Sequence, residues 1–226
     1  MRIANIMFGR DLGGIEQAFL DYNDALKLAG HEVLAVTHPL AQINFNITGD
    51  VSYRSLNNLG KWDFTAAAKL KKILKDFKPH ATITHGNRAL GLTHKAGKHA
   101  GLHIGVTHNY NIKHFSKLDL VFAITKDLQR VVVESGIPTS HIVRIPNMIK
   151  LPEQLPERLS KREGEPLVIG SMGRFVAKKG FDHLIEAAAK LSVMTRLPFK
   201  VIIGGDGEEK ETLQALIKKF KLEDKV

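Results

Sequence analysis

The stretch Arg2-Ile-Ala-Asn-Ile-Met-Phe8, Gly9-Arg-Asp-Leu-Gly13-Gly14, Ile15-Glu-Gln-Ala-Phe-Leu-Asp-Tyr-Asn-Asp-Ala-Leu-Lys-Leu-Ala29 decides the fold. Its first seven residues are a short apolar run that reads as a buried strand, and a glycine-bearing loop follows at Gly9–Gly14. Ile15, Ala18, Phe19, Tyr22, Leu26 and Ala29 then recur at helical spacing. Gly30 stops that helix, and Glu32–Thr37 is a second strand. The same alternation predicts a helix over Phe64–Phe77, a strand over Ala81–Thr84, a helix over Ala89–Ala100 and a strand over His103–Thr107. A strand over Leu118–Ile124, a helix over Lys126–Ser135 and a strand over Ile142–Ile145 complete the first part. The Asn-rich interval Pro39–Leu59 gives one strand, Val51–Leu56. Lys150–Pro166 carries three prolines with mixed charge and reads as a linker. Beyond it the cycle restarts as strand Leu167–Ser171, helix Gly180–Leu191, strand Lys200–Gly204 and helix Glu208–Phe220.

Repeated βα units place parallel strands side by side with helices on both faces. The fold class is therefore α/β, with two Rossmann-like, doubly wound domains: 1–150, a linker over 151–166, and 167–226. The second offers two strands where a doubly wound sheet has about five or six, so it reads as incomplete.

Composition narrows the function. The 226 residues are 43% hydrophobic and 25% charged, ordinary for a globular protein. The absence of cysteine excludes a disulfide framework, a zinc ribbon, an iron–sulfur site and a thiol nucleophile. No apolar run reaches the ~18 residues of a membrane span, and MRIANIMFG lacks a signal-peptide pattern, so a soluble, cytoplasmic protein is expected. The net charge of +10 asks for an anionic partner: nucleic acid, a phosphorylated ligand or an anionic membrane surface. No nucleic-acid-binding module is recognisable, which sets that partner aside.

Four features carry chemistry. Gly9–Glu16 joins a strand to a helix, so its glycines either bring backbone amides to an anion or serve a tight turn with positive φ. Its spacing is not that of the dinucleotide fingerprint. Gly173-Arg174 and Lys178-Lys179-Gly180 follow a strand end, where doubly wound sheets bind ligands. The Arg174 fork and the compact Lys179 charge suit a diphosphate. Six histidines, His85, His94, His99, His103, His108 and His114, lack the spacing of a zinc helix, and no metal is expected. Among them His108, just past a strand end, can orient a substrate hydroxyl or stabilise developing charge. Finally, Leu70, Ile73, Leu74 and Phe77 form an apolar stripe among lysines, which either lies on an anionic membrane or packs on the sheet.

Taken in order, several segments resemble the retaining sugar-nucleotide glycosyltransferases of the GT4 type, with the two-domain GT-B fold. They are Gly13-Gly14-Ile-Glu16, Ala25–Val33, Thr84-His85-Gly86, Val106–Asn109, Phe122–Lys126, Ser135–Pro138, Ile145–Ile149, Gly173–Gly180 and Ile203–Glu208. The resemblance implies transfer of a sugar, with retention, from a nucleotide-sugar to a cell-envelope glycan or lipid such as lipopolysaccharide. It implies that Gly13 and Gly14 face the donor phosphates, that Arg174 and Lys179 bind the diphosphate, and that His108 contacts the transferred sugar as the catalytic residue. Glu16, His85, Asn147 and Gly173 are further cleft candidates. No metal or cofactor is implied beyond the nucleotide-sugar itself. The basic first domain is expected on the acceptor side, with peripheral contact to an anionic membrane.

The family's E-x7-E motif, which holds the donor's sugar and ribose, has no counterpart in the second domain. Glu157 and Glu165 have the spacing but precede that domain's first strand. The chain is therefore expected to be a C-terminally truncated transferase, inactive alone. The alternative is a non-catalytic, acceptor- or membrane-binding half of a split transferase, completed by a second chain.

Overall fold

The structure, a computed structural model, describes residues 1–47, 50–149, 151, 154 and 164–226. The chain divides into two compact units, Met1–Pro152 and Glu153–Val226. Most of the linker read over 151–166, with Glu157, lies outside the described residues.

The first unit is a seven-stranded, wholly parallel sheet of β1 (Arg2–Met7), β2 (Glu32–Thr37), β3 (Ser52–Ser55), β4 (Ala81–His85), β5 (Leu102–Thr107), β6 (Leu120–Ala123) and β7 (Ile142–Arg144). Their order, β3-β2-β1-β4-β5-β6-β7, reverses direction between β1 and β4, where Ile3 pairs with Ala81 and Met7 with His85. The period-2 alternation of β1 explains the two covered faces. Ala4 and Ile6 pack with α2 (Phe64–Phe77) and α3 (Gly86–Ala96), while Met7 shares a cluster with Phe19 of α1 (Gly14–Leu28). The helix α4 (Lys126–Glu134) buries Val132 against Val121 and Ala123 of β6.

The α2 stripe belongs to the sheet and not to a membrane. Leu70 and Leu74 are fully buried, with Ile73 and Phe77 packed against the same core, and the helix lysines lie on the exposed side. The third helix starts three residues earlier than its spacing suggests. Gly86, at φ +81, turns the chain directly from β4 into α3, and Gly97, at φ +59, ends it. Leu118 and Asp119 fall outside β6, because a short 3₁₀ turn over Phe115–Lys117 delivers the chain there.

In the second unit β8 (Leu167–Met172) pairs in parallel with β9 (Phe199–Gly204). The helices α5 (Phe181–Met194) and α6 (Lys210–Lys219) share one cluster with Phe199 and Val201. The opposite face carries Val168, Met172 and Ile202, all exposed, Met172 at 88%.

Candidate functional site

The reversal between β1 and β4 opens a crevice at the carboxyl ends of those strands, where doubly wound sheets take ligands. A recess of about 180 Å³ lies there, lined among others by Met7, Gly9, Glu16, His85, Asn87 and Arg88. The first turns of α1 and α3 supply two of its walls, so two helix N-termini meet it.

The glycine loop is shaped around a carboxylate. A Cβ on Gly9 would stand 2.1 Å from Glu16 Oε1, and one on Gly13 would stand 3.0 Å from Glu16 Oε2. Neither Gly13, extended at φ −168, nor Gly14 adopts positive φ. The turn reading based on left-handed backbone is therefore wrong for this pair. Glu16 folds back over Gly9 and Gly13 and places a negative charge at the positive end of α1.

At the end of β4 a chain of side chains fixes where protons sit. Asn5 Nδ2 donates to the Phe19 carbonyl at 3.0 Å and to Asn23 Oδ1 at 2.9 Å. A carbonyl can only accept, so the Asn5 amide has one orientation and its Oδ1 faces His85 Nε2 at 2.9 Å. His85 must donate from Nε2, which leaves its Nδ1 a bare acceptor. His108 Nε2 lies 2.9 Å from that Nδ1 and donates to it. A neutral His108 thus carries its lone pair on Nδ1, and no described residue bonds that nitrogen.

Burial keeps both rings neutral. His85 is held well below the ordinary histidine range by desolvation, then by the neighbouring His108, and desolvation pushes His108 down to about 4. Edge-on contacts from Tyr22 at 5.1 Å and Phe19 at 5.8 Å wall the His85 ring. His108 is consequently a fixed hydrogen-bond acceptor at neutral pH, suited to a sugar hydroxyl.

The candidates read from sequence separate into three places. Glu16 and His85 line the β1/β4 recess, His108 is tied to it through His85, and Gly13 and Gly14 stand at the start of α1, Gly13 close to the Glu16 carboxylate. Asn147 is exposed beyond β7, three strands from β4, and does not line the recess. Gly173, Arg174 and Lys179 belong to the second unit. There the loops after β8 and β9 are zipped together: Gly173 N donates to the Gly204 carbonyl and Phe175 N to the Asp206 carbonyl. A Cβ at Gly205 would collide with the Gly173 carbonyl at 2.0 Å, and one at Gly207 with Phe175 backbone. Both glycines also hold positive φ, at +156 and +152. That zipper fixes the backbone before Arg174, while the Arg174 and Lys179 side chains stay exposed and pair with no carboxylate among the described residues.

Sequence reasoning missed Asn5 and Arg88. The signal for Asn5 was an amide in the middle of an apolar strand, costly unless bonded; Arg88 sits in the first turn of α3, donating to the Phe8 carbonyl at 3.3 Å. Among the described residues no group of three His, Asp or Glu is placed to hold a metal ion, and no helix is long and apolar enough to cross a membrane.

Two family models match the chain: Glycosyltransferase Family 4 over residues 12–152 and Glycosyl transferases group 1 over residues 153–226. Two lipopolysaccharide core biosynthesis glycosyltransferases of Rhizobium meliloti (strain 1021) are similar. LpsE is 27% identical across 96% of this chain and 63% of its own length, and LpsD 24% across 100% and 65%. The chain thus spans a little under two thirds of these curated relatives. Among solved structures, HepE of Anabaena in complex with UDP and glucose matches with a TM-score of 0.75 at 17% identity, over 100% of this chain and 68% of that one. At that identity the likeness concerns the fold.

Proposed function

The chain belongs to Glycosyltransferase Family 4, and from that premise we propose that it serves the transfer of a sugar from a nucleotide-sugar donor to a glycan or lipid acceptor of the cell envelope. The observation that carries this reading is the His108 acceptor nitrogen, set by His85 and Asn5 beside a crevice met by two helix N-termini. In the reaction the bond from the anomeric carbon to the donor diphosphate breaks, a bond to an acceptor hydroxyl oxygen forms, with retention at that carbon, and the hydroxyl proton leaves with the departing nucleoside diphosphate. His108 Nδ1 accepts a hydrogen bond from a hydroxyl of the transferred sugar and so orients it. Arg174 and Lys179 meet the charge of the departing nucleoside diphosphate, the largest charge change in the reaction. Gly13 and Gly14 offer the amides of α1, and Glu16 and His85 line the recess beside them. The basic first domain read over 1–150 takes the acceptor at the inner face of an anionic membrane, and the part after the linker takes the nucleotide.

Support for the donor class comes from HepE, solved with UDP and glucose, and support for the acceptor class from the two lipopolysaccharide core enzymes. Calorimetric titration with UDP-glucose, GDP-mannose and ADP-heptose tests the donor. The expected result is saturable binding of one of them, weakened at least roughly tenfold in Arg174→Ala; no binding of any, by folded protein, contradicts the reading.

A second reading makes the chain the acceptor-side half of a transferase whose donor half is completed by another chain. The uncovered face formed by Val168, Met172 and Ile202 favours it. Under that reading sugar transfer appears only when the completing chain is added.

A further inference from the structure

A second recess, of about 140 Å³, lies away from the β1/β4 crevice, between the loop after β3, the second half of α3 and the loop after β5. Trp62 and the side chains of Lys61, Lys95, Lys117 and His114 line it, over a floor that includes the core residue Leu90. Three of its features are unusual together. Lys61 and Lys95 are half-buried, yet no carboxylate among the described residues pairs with either, or with Lys117.

Their ammonium groups are instead held by neutral partners. Lys95 Nζ donates to the Lys61 carbonyl at 2.7 Å and stands 5.0 Å from the Trp62 ring centre and 4.4 Å from that of Phe64. Lys61 Nζ donates to His114 Nε2 at 3.1 Å. Cations fixed in place without a counterion are poised for one.

The indole is the third feature. Trp62 is 69% exposed and belongs to no core cluster, so packing alone does not account for it. An aromatic face beside charged donors suits the C–H face of a pyranose whose substituent is anionic. The wall is built for this approach: a Cβ on Gly91 would stand 3.1 Å from Lys61 Cβ, so glycine there lets the Lys61–Trp62 segment lie on α3.

We propose that this recess binds an anionic sugar, one carrying a phosphate or carboxylate, with its ring on Trp62 and its charge between Lys61, Lys95 and Lys117. The proposal deepens the acceptor side of the transfer reading and rests on that reading for the origin of the sugar. A concave site with its cations turned onto shared partners favours a small ligand over a flat membrane surface, for which the exposed Leu59, Trp62 and Phe64 are the competing explanation.

Trp62 is the only tryptophan of the chain, so its fluorescence reports the recess directly. The protein is titrated with glucose 6-phosphate, glucose and inorganic phosphate at constant low ionic strength, and separately with phosphatidylglycerol vesicles. The expected result is a saturable change with glucose 6-phosphate, at least roughly tenfold weaker with glucose or phosphate alone, given about 1.4 kcal/mol per tenfold. Lys95→Gln weakens the response about tenfold without moving the urea midpoint, and the response persists in Arg174→Ala. Equal affinity for inorganic phosphate, or no saturable change, overturns the proposal. So does a blue shift with vesicles and none with the sugar phosphate, which assigns the patch to a membrane. Calorimetry with nucleotide-sugars separates the outcomes: donor binding with a silent Trp62 contradicts the recess and leaves the transfer reading intact.

Discussion

His108 and Arg174 occupy the same kind of position, just beyond the carboxyl end of a parallel strand, and the two units prepare them in opposite ways. In the first unit the polar group is settled by the fold: Phe19 orients Asn5, Asn5 orients His85, and His85 orients His108. In the second the backbone is settled by the Gly205 and Gly207 contacts, but the cations stand exposed without a carboxylate partner among the described residues. A neutral acceptor has to be fixed by burial, because water would let the ring turn and exchange tautomers. A cation meant for a diphosphate gains from staying wet until the ligand supplies the opposite charge, since burying it unpaired is costly.

Acid should break this contrast most strongly. His85, His103 and His108 in the first unit are all held below the ordinary histidine range, chiefly by desolvation, the latter two at about 4. Between about 6.5 and 4 the unfolded chain binds protons that the native rings refuse, so stability is present above 6.5 and lost as pH falls toward 4. At about 1.4 kcal/mol per unit the loss reaches on the order of several kcal/mol. Urea unfolding followed through Trp62, which lies in the first unit, should show a midpoint falling across that window. A flat midpoint breaks the claim of buried neutral rings.

Next comes Arg174→Ala. A hydrogen bond to a charged group is worth about 1.5–3 kcal/mol, so nucleoside diphosphate affinity should fall roughly tenfold to a hundredfold by calorimetry. Arg174→Lys should recover little of it, because a point charge does not replace the planar fork. Asn5→Leu follows: it takes the partners from Asn23 Oδ1 and His85 Nε2, costing about 1–3 kcal/mol by chemical denaturation. It also frees His85 to donate from Nδ1, turning the outer nitrogen of His108 from acceptor to donor. A fall in kcat with little change in donor affinity would distinguish that inversion from simple loss of fold. Smallest of all, Met172→Ser on the uncovered face of β8 should move stability by under about 0.5 kcal/mol, as for a surface site. A larger loss would mean that face is covered in solution.

Much of this fold is legible in the residues. The apolar runs and helical spacings locate β1, α1, β2, α2 and α4 to within a residue or two, because strong local periodicity and tertiary packing agree there. The start of α3 is less legible, since it depends on a positive φ at Gly86 that no periodicity reports. The candidate site divides in the same way. His108, Arg174 and Lys179 stand out by residue type after strand ends. Asn5 does not, because His85 lies 80 residues away and meets it only through the β1/β4 pairing, while Phe19 and Asn23 reach it from α1. The Trp62 recess is equally hidden: its parts come from two separate connections and the second half of α3. For the α2 stripe, spacing established the helix and only packing could choose between sheet and membrane.

The most direct test of the prewired histidine is the tautomer of His108 itself, read from long-range proton–nitrogen NMR correlations of the ligand-free protein at neutral pH. The account predicts a proton on Nε2 and a bare Nδ1, in slow exchange with water, and a shift of that proton to Nδ1 in Asn5→Leu. A wild-type ring protonated on Nδ1, or one averaging between the two nitrogens, would contradict it.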